Sequence, residues 1–457
     1  MRDAPEQPAG RDPQSLVSGL SDADLVTLGD RAFEGLAAAV LAVSGGADSL
    51  FLLVMAQRWR LAHGRLDFPI HVATVDHGLR AAASAEAEWV AKQAEALGLP
   101  AHILVWSGEK PATAIQSAAR TARYSLLSGL IERLELPCPT GLLVGHHLDD
   151  QAETFLMRLA RGSGIDGLAA MQPERRLARD RKGVLRRPLL GLDKANITAT
   201  LTRLGVGWLD DPSNANPTFE RVRVRHALGL LQGLGVAADA IATSSRRLTR
   251  SRAALEHATR ELARNSLDTH GGAYAEIKTA AFDAAPEEIR LRLLQHVLRL
   301  FGAGGDPVRL VQLEDLADRM AAGVQVAATL GGCHMERSEK AVIAMREPGR
   351  LGLPVLILAP GDEQIWDNRF RVSCAAGHPG PVEVRALTAD MLSQIQKRIE
   401  GKEITGGAMR PTLPRRAALT LPAFWRGARL LAVPHPAMVS AGDGSLIAEF
   451  FDDFSKY

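Results

Sequence analysis

The sequence predicts an α/β domain built on a doubly wound parallel sheet, followed by a helical domain and a small β-rich C-terminal domain. In the first half of the chain, short apolar runs rich in Val, Ile and Leu alternate with helix-like segments. This alternation is typical of parallel strands that are buried on both faces. After about residue 228 it stops and helix-like segments follow one another, and from about residue 324 glycine, proline and short apolar runs indicate strands.

The first domain contains the clearest elements. Strands are predicted at 37–43, 70–75, 101–106 and 142–145, and helices at 49–57, 86–97 and 116–134. A further helix is predicted to begin near Leu148, with a buried stripe of Ala152, Phe155, Leu156 and Leu159. Ligands of doubly wound sheets bind beyond the carboxyl ends of the strands, so we expect the functional site at that edge.

The remainder of the chain has a different pattern. Helices are predicted at 236–268, from Pro286 onward and at 307–323, and short strands at 324–330, 341–345, 355–358 and 430–433. The resulting organisation is a disordered tail over 1–20, the α/β domain over 21–229, the helical domain over 230–345 and the C-terminal domain over 346–457.

Composition narrows the class of protein. With 457 residues, 46% hydrophobic and 23% charged, the chain is long enough for about three folding units and is not disordered as a whole. No apolar run approaches the roughly 20 residues of a membrane-spanning helix, and the proline-containing start lacks the apolar core of a secretory signal. Cys138, Cys333 and Cys374 lie far apart, which excludes a disulfide framework. We therefore expect a cytoplasmic protein that does not enter a membrane.

Basic residues are clustered although the net charge is only +2. The clusters are Arg175, Arg176, Arg179, Arg181, Lys182, Arg186 and Arg187; Arg221, Arg223, Arg225 and His226; and Arg246, Arg247, Arg250 and Arg252. Such clusters bind the phosphates of nucleic acids in many proteins. Each cluster taken alone is also compatible with a solvated surface.

The sharpest motif is the loop between the first strand and its helix. It reads Ser44, Gly45, Gly46, Ala47, Asp48 and Ser49. Paired glycines let the backbone approach a ligand closely, and the amides at a helix start point towards an anion. A carboxylate such as Asp48 repels phosphate unless a hard divalent cation lies between them, so the loop predicts Mg²⁺ at Asp48. The alternative is a tight turn without a ligand.

A second group of polar residues follows a later strand. His146, Asp150 and Glu153 are spaced so that all three face one cleft at the start of the predicted helix. Such a group binds a cation, takes a proton from an amine or holds an ammonium ion. The alternative is a capping aspartate beside a solvated carboxylate. Arg120 and Arg123 share one face of the preceding helix and are candidates for neutralising phosphate.

The Ser-Gly-Gly-x-Asp-Ser loop resembles that of the N-type ATP pyrophosphatases of the PP-loop superfamily. Further motifs in the same order resemble the tRNA(Ile)-lysidine synthetases. They are Val75-Asp76-His77-Gly78-Leu79-Arg80, Ala119-Arg120 with Arg123-Tyr124, residues 145–154, residues 159–168, Arg186-Arg187-Pro188-Leu189-Leu190, and Trp208 with Asp211, Ser213 and Asn214. The resemblance spans residues 37–228. It departs from the family pattern at Val222, where an asparagine is usual.

This resemblance implies an ATP-dependent ligase that adenylates the wobble cytidine of an isoleucine tRNA with a CAU anticodon and then joins free L-lysine to it. Ser44, Gly45, Gly46, Ala47, Asp48 and Ser49 would bind ATP, with Mg²⁺ on Asp48. His146, Asp150 and Glu153 would bind lysine, and Asp48, Asp150, Glu153, Arg120 and Arg123 would be catalytic. Arg186, Arg187, Arg221 and Arg225 would bind the tRNA, together with the helical domain. A homodimer is compatible with the sequence.

Two other functions are compatible with the loop alone. The first is another adenylating enzyme, such as a tRNA thiolase or an amidating synthetase, but neither paired cysteines nor an amidotransferase nucleophile is evident. The second is a non-catalytic RNA-binding protein that retains a nucleotide-binding fold. Clustered acids beside a phosphate site argue against the second, because they weaken nucleic-acid binding.

Overall fold

The computed structural model describes residues 19–80, 82–111, 113, 115–177, 183–210, 216, 218–302, 308–323, 326–349, 352–400, 413–435 and 444–451. Most of the predicted tail therefore lies outside the described residues, as do Arg179, Arg181 and Lys182 of the first basic cluster and the predicted motif residues Asp211, Ser213 and Asn214. The chain divides into two compact units, Met1–Arg252 and Ala253–Tyr457. The predicted boundaries at 229 and 345 remain predictions.

The first unit alternates helices and strands. In chain order its elements are α1 Asp22–Phe33, β1 Ala38–Ala42, α2 Ala47–Ala62, β2 Ile70–Asp76, α3 Ala83–Ala96, β3 Ala101–Val105, α4 Ile115–Arg133, β4 Thr140–Val144, α5 Leu148–Leu159, α6 Ile165–Leu168, β5 Glu174–Arg176, β6 Gly183–Arg186, α7 Lys194–Arg203 and α8 Glu220–Gly233. The long helix α9, Ala238–Ser266, contains the division between the units.

These strands form one six-stranded sheet in the order β3-β2-β1-β4-β6-β5. All neighbours are parallel except the edge pair β5 and β6. Strand β1 pairs with β2 on one side and with β4 on the other, so the direction of winding reverses between β1 and β4. The carboxyl ends of these two strands lie side by side, with Ala42 opposite Val144. Such a switch point is where doubly wound sheets bind ligands.

Apolar clusters cover both faces of the sheet. One cluster includes α1, α2 and α7, and the other packs α4 against β1, β2 and β4. Most of helix α2 is buried, including Ala47 and Ser49 in its first turn, so this turn is held firmly.

The predicted buried stripe of α5 is wrong. Ala152 is buried, but Leu159 is 51% exposed and Phe155 and Leu156 are half-buried. Gln151 and Glu153 are buried instead, because each has polar partners within the unit. The Gln151 amide exchanges two hydrogen bonds with the backbone of Met171, of 2.9 and 2.8 Å. Side-chain pairing has therefore overridden apolar periodicity on this helix.

The second unit contains helices and small antiparallel sheets. Its elements are β7 Leu267–Asp268, β8 Tyr274–Lys278, α10 Thr279–Ala284, α11 Glu287–Phe301, α12 Leu310–Ala322, β9 Ala327–Leu330, β10 Cys333–Arg337, β11 Ala341–Arg346, β12 Leu356–Leu358, β13 Glu363–Trp366, β14 Phe370–Cys374, β15 Val382–Ala386, α13 Ala389–Glu400, α14 Arg415–Ala418, β16 Pro422–Arg426, β17 Arg429–Ala432 and β18 Leu446–Phe450.

The sheets of this unit have the orders β7-β8-β11-β10-β9, β12-β15-β16-β17 and β13-β14-β18. The region predicted as helical thus contains a five-stranded sheet beside α11 and α12, while the β-rich end of the chain agrees with the predicted fold class. All three cysteines are free, and Cys333 and Cys374 are buried. In the described part of the chain no single helix is long and apolar enough to span a membrane; only α8 with α9, bent by 104°, passes on length and composition together.

Candidate active site

The Ser-Gly-Gly-x-Asp-Ser loop connects β1 to α2 at the switch point of the sheet. Gly45 has a φ of +89°, which a side chain would strain, and a Cβ there would lie 2.8 Å from Leu209 Cδ1. The Ser49 hydroxyl donates to the Gly46 carbonyl at 2.9 Å and accepts from the Ser44 amide at 3.1 Å. The loop is therefore held in a fixed shape by its own hydroxyl and by a neighbouring leucine.

The end of β4 packs directly against this loop. A Cβ on Gly145 would lie 2.8 Å from the Asp48 carbonyl oxygen and 3.1 Å from the Ser49 nitrogen. Only glycine fits at this point, because both neighbours are backbone atoms. This close approach brings the phosphate-loop candidate and the polar residues after β4 into one site.

Asp48 lies in the first turn of α2, where a helix start favours negative charge, and its side chain is 29% exposed. The Lys194 ammonium is 2.6 Å from one carboxylate oxygen, and His147 Nε2 is 3.6 Å from the other. In the described residues no group of three or more His, Cys, Asp or Glu side chains is arranged to hold a metal ion. Magnesium commonly binds one or two carboxylates together with phosphates and water, so Asp48 alone fits that role.

His147 is buried and lies among three carboxylates. Its Nδ1 is 3.2 Å from Asp149 and its Nε2 is 3.5 Å from Asp150, in addition to its approach to Asp48. Burial opposes a positive charge on His147, but the three carboxylates outweigh it and raise its pKa. Hydrogen bonding to His147 in turn lowers the pKa of Asp149. The surrounding carboxylates thus favour the protonated form of His147, and its ring is the contact that the three acids share.

Asp150 has two roles at the start of α5. Its carboxylate accepts a hydrogen bond from the His147 backbone at 3.1 Å, which caps the helix. Burial favours the neutral acid, but His147 and Arg221 outweigh it and lower the pKa of Asp150, so this side chain is a carboxylate at neutral pH. The cap uses one oxygen of Asp150, and the other oxygen faces Arg221 at 3.5 Å.

Glu153 is one turn further along α5, and its side chain is only 1% exposed. Arg225 Nε lies 2.8 Å from one of its oxygens and Arg221 Nε lies 3.0 Å from the other. Arg221 also reaches Asp150 at 3.5 Å. Two guanidinium groups from α8 thus lie on the acids that were predicted to hold a lysine ammonium.

His146 is the third member of the predicted lysine group. Burial lowers the pKa of His146 to about 3, and the positive charges of Arg187, Arg221 and Arg120 act in the same direction. Its ring is therefore neutral at pH 7, and its buried Nδ1 has no hydrogen-bond partner in the structure. A neutral imidazole with a free ring nitrogen is suited to receive a ligand's N–H.

The two arginines predicted on α4 differ in their surroundings. The exposed Arg120 lies over the Tyr124 ring at 5.4 Å and contributes to the electrostatic field at His146. Arg123 is also exposed, and its charge acts on His77 at the end of β2. The charge of Arg120 thus acts on the predicted lysine group through His146, whereas that of Arg123 acts on His77.

The residues predicted to bind tRNA have partners within the first unit. Arg186 donates to Glu174 at 2.7 Å and to the carbonyls of Ala32 and Glu34 at 3.0 and 2.7 Å. Arg187 is buried and donates to the Gln172 carbonyl at 2.7 Å. Arg221 and Arg225 pair with the acids of α5, as described above. The role of all four arginines in binding tRNA stays a prediction.

Three residues of this site were missed by sequence reasoning. His147 and Asp149 stand inside the motif that was singled out, so their signal was present but was assigned to their neighbours. Lys194 is 146 residues from Asp48 in the chain, and no local pattern connects the two. Only the packing of α7 beside α2 reveals this contact.

Known proteins resemble this chain over most of its length. A family model described as a PP-loop domain matches residues 27–231. The tRNA(Ile)-lysidine synthase of Rhodopseudomonas palustris is 42% identical over 69% of this chain and 92% of that protein. The corresponding protein of Bradyrhizobium sp. is 44% identical over 61% and 78% of the two chains, and that of Ruegeria pomeroyi is 34% identical over 86% and 87%. The chain therefore belongs to the tRNA(Ile)-lysidine synthase family, and residues 27–231 form its PP-loop domain.

Proposed function

We propose that this protein ligates L-lysine to the wobble cytidine of the CAU anticodon of tRNA(Ile), at the expense of ATP. The carbonyl oxygen of the cytidine attacks the α-phosphate of ATP, and pyrophosphate leaves. The side-chain amine of lysine, having lost a proton, then attacks the activated ring carbon and displaces AMP. The product is lysidine, which pairs with adenine, so the tRNA reads AUA instead of AUG.

The observation that carries this proposal is the meeting of two half-sites at the β1–β4 switch point. Gly145 brings the backbone of the phosphate-loop candidate within van der Waals contact of the segment that carries His146, Asp150 and Glu153. An adenylation and a subsequent attack by an amine require an anion site and an acid group beside each other. A fold that only binds a nucleotide does not require the acid group.

The loop residues from Ser44 to Ser49 would bind the phosphates of ATP through backbone amides and hydroxyls. Asp48 would hold Mg²⁺, which when bound supplies positive charge that offsets the growing charge on the leaving pyrophosphate. Arg120 is an exposed cation near the same edge and would steady the adenylated intermediate. Because PP-loop domains use ATP, the nucleotide follows from the family, whereas the metal rests on the chemistry of Asp48.

Asp150, Glu153 and His146 would bind the lysine side chain. Asp150 is ionised and the neutral ring of His146 accepts an N–H, so together they hold the ammonium group. Burial raises the pKa of Glu153, so this carboxylate is the better candidate to receive the proton of the amine. Arg221 and Arg225 now pair with these acids, so lysine has to displace at least one guanidinium. Phosphates of a bound tRNA would draw these arginines away, because both are at least 39% exposed and can turn outward.

The tRNA would contact the basic residues of the first unit, and the predicted helical and C-terminal domains would read the rest of it. We propose that the protein acts in the cytoplasm, where its tRNA, ATP and lysine occur together. We also propose a homodimer, and the mass of the purified protein in solution tests that part separately.

The direct test combines purified protein, Mg²⁺-ATP, lysine and a transcript of tRNA(Ile) with a CAU anticodon. Release of AMP and transfer of labelled lysine to the tRNA are measured together. We expect both to require the transcript and lysine, and a methionine tRNA transcript to support neither. Tight tRNA binding without any AMP release would refute the proposal in favour of a non-catalytic binder. AMP release that ignores lysine would indicate another nucleophile.

A further inference from the structure

Lys194 stands beside the phosphate loop although it comes from a distant part of the chain. It is the first residue of α7, and its backbone amide donates to Asp149 at 2.9 Å. Just before it, the Leu192 carbonyl accepts a hydrogen bond from the Leu148 amide at 2.8 Å. The Asp193 side chain caps α7 by accepting from the Asn196 amide at 2.7 Å. The backbone of Lys194 is thus fastened to the start of α5, next to the loop.

The side chain of Lys194 is less restrained than its backbone. Its ammonium lies 2.6 Å from Asp48, and the two side chains are 45% and 29% exposed. Ion pairs between such exposed groups contribute little to stability. A lysine has a flexible stem and a compact charge, so its ammonium can move to a nearby anion while the backbone remains in place. This contact is therefore easy to exchange.

The phosphate loop itself contains no cation. Ser44 to Ser49 carry one charged group, the Asp48 carboxylate, which has the wrong sign for phosphate. The Walker type of phosphate loop carries its own lysine for this purpose. Among the described residues, Lys194 and His147 both approach Asp48, and of the two the Lys194 ammonium is the one at hydrogen-bonding distance, 2.6 Å against 3.6 Å.

We propose that Lys194 is a phosphate-binding residue that neutralises Asp48 in the absence of nucleotide and moves to the β- or γ-phosphate when Mg²⁺-ATP binds. This inference rests on the proposed function, because it assigns a cation to the nucleotide of that site. Asp48 is then released to the metal, and the positive charge of Lys194 lies on the part of ATP that leaves as pyrophosphate. Lys194 thus supplies from α7 the charge that the loop lacks.

The test measures nucleotide binding directly by calorimetry, without tRNA or lysine. The ligand is an ATP analogue with a methylene group between the α- and β-phosphorus atoms, with AMP as the comparison. In Mg²⁺ we expect Lys194→Gln to weaken binding of the analogue by about tenfold or more, which is typical of a lost charge-assisted hydrogen bond. AMP binding should be unchanged, because AMP lacks the β- and γ-phosphates. Lys194→Arg should restore most of the affinity for the analogue.

A second measurement without metal separates phosphate binding from a purely structural ion pair. In EDTA, Asp48→Asn should bind the analogue more tightly than the wild type, because it removes a repulsive charge and releases Lys194. Lys194→Gln should bind it more weakly. A structural ion pair instead predicts that both substitutions act in the same direction. Lys92→Ala, on the exposed face of α3, is the matched control and should change nothing.

Three results would decide against this assignment. Wild-type affinity for the analogue in Lys194→Gln would overturn it, and so would an equal loss for the analogue and AMP. Changes of the same sign in the two EDTA measurements would also overturn it. Failure of the wild-type protein to bind the analogue at all would refute the proposed function. Normal lysine-dependent AMP release by the wild type, with unchanged affinity for the analogue in Lys194→Gln, would refute only the role of Lys194.

Discussion

Replacing Asp150 with asparagine separates its two roles. The side chain is 14% exposed, caps α5 through the His147 amide and lies 3.5 Å from both His147 and Arg221. Asparagine keeps a side-chain oxygen that can accept the same hydrogen bond from the His147 amide, so the substitution keeps this capping contact and removes the charge. We therefore expect Asp150→Asn to fold normally and to fail chiefly in holding the lysine ammonium.

The expected magnitude follows from these contacts. A hydrogen bond between two charged groups contributes roughly 1.5–3 kcal/mol, and asparagine still offers a neutral oxygen. The KM for lysine should rise by about 10- to 100-fold on this basis. The contacts to His147 and Arg221 are long, and His147 keeps Asp48 and Asp149 as counter-charges, so the free energy of unfolding should fall by only about 1–2 kcal/mol.

The assay is lysine-dependent AMP release at varied lysine and, separately, varied ATP. Asp239→Asn is the matched control, since Asp239 is an exposed aspartate in the first turn of α9 and lies outside the site. The control should match the wild type in both titrations. An Asp150→Asn enzyme with a normal KM for lysine and a raised KM for ATP would refute the reasoning and would mean that the acid group serves the nucleotide.

Three further predictions concern the same site. Asp48→Ala should abolish AMP formation while tRNA binding measured by filter retention is unchanged, and unaltered turnover would remove the proposed metal ligand. Gly145→Ala should weaken ATP binding by about tenfold or more, because its Cβ would lie 2.8 Å from the Asp48 carbonyl and displace the loop; normal calorimetric affinity would contradict this. His147→Gln should lose stability mainly at low pH. The pKa of His147 is raised in the folded protein above its ordinary value of 6.5, so protonated His147 stabilises the fold fully below pH 6.5, and this contribution to the free energy of unfolding disappears as the pH rises through the folded pKa. Urea unfolding at pH 6 and pH 9 should show the larger difference from wild type at pH 6, and an equal difference would argue against a charged His147.

Local patterns predicted those parts of the site that are contiguous in the chain. The loop from Ser44 to Ser49 is recognisable because its chemistry depends on six adjacent residues between a strand and a helix. The doubly wound parallel sheet follows from the alternation of apolar strands and helices, and the structure confirms it. The PP-loop class follows from the motifs, and the family model confirms it. The roles of the individual histidines and acids in the second motif depend on how deeply each side chain is buried. A sequence motif does not specify burial.

Contacts between distant segments were beyond local reasoning. The pairing of Lys194 with Asp48 and of Arg225 with Glu153 joins residues that are 146 and 72 positions apart. On α5 such pairing buries Glu153 and leaves Leu159 exposed, the reverse of what apolar periodicity predicts. Strand β8 was also missed, because its short sequence Tyr274–Lys278 lies among helix-like segments and is stabilised by cross-strand partners.

The parallel pairing of β1 with β4 has a consequence for how this enzyme family can vary. Five successive residue pairs, from Ala38 with Thr140 to Ala42 with Val144, fix how far one strand end projects past the other. The distance between the loop after β1 and the acid group after β4 is therefore set by the backbone hydrogen bonds of this pairing, and not by the connections at the opposite edge of the sheet. Insertions or deletions in those connections should leave catalysis intact, whereas a slip of one residue in this pairing would reverse the faces of β4 and separate the two halves of the reaction.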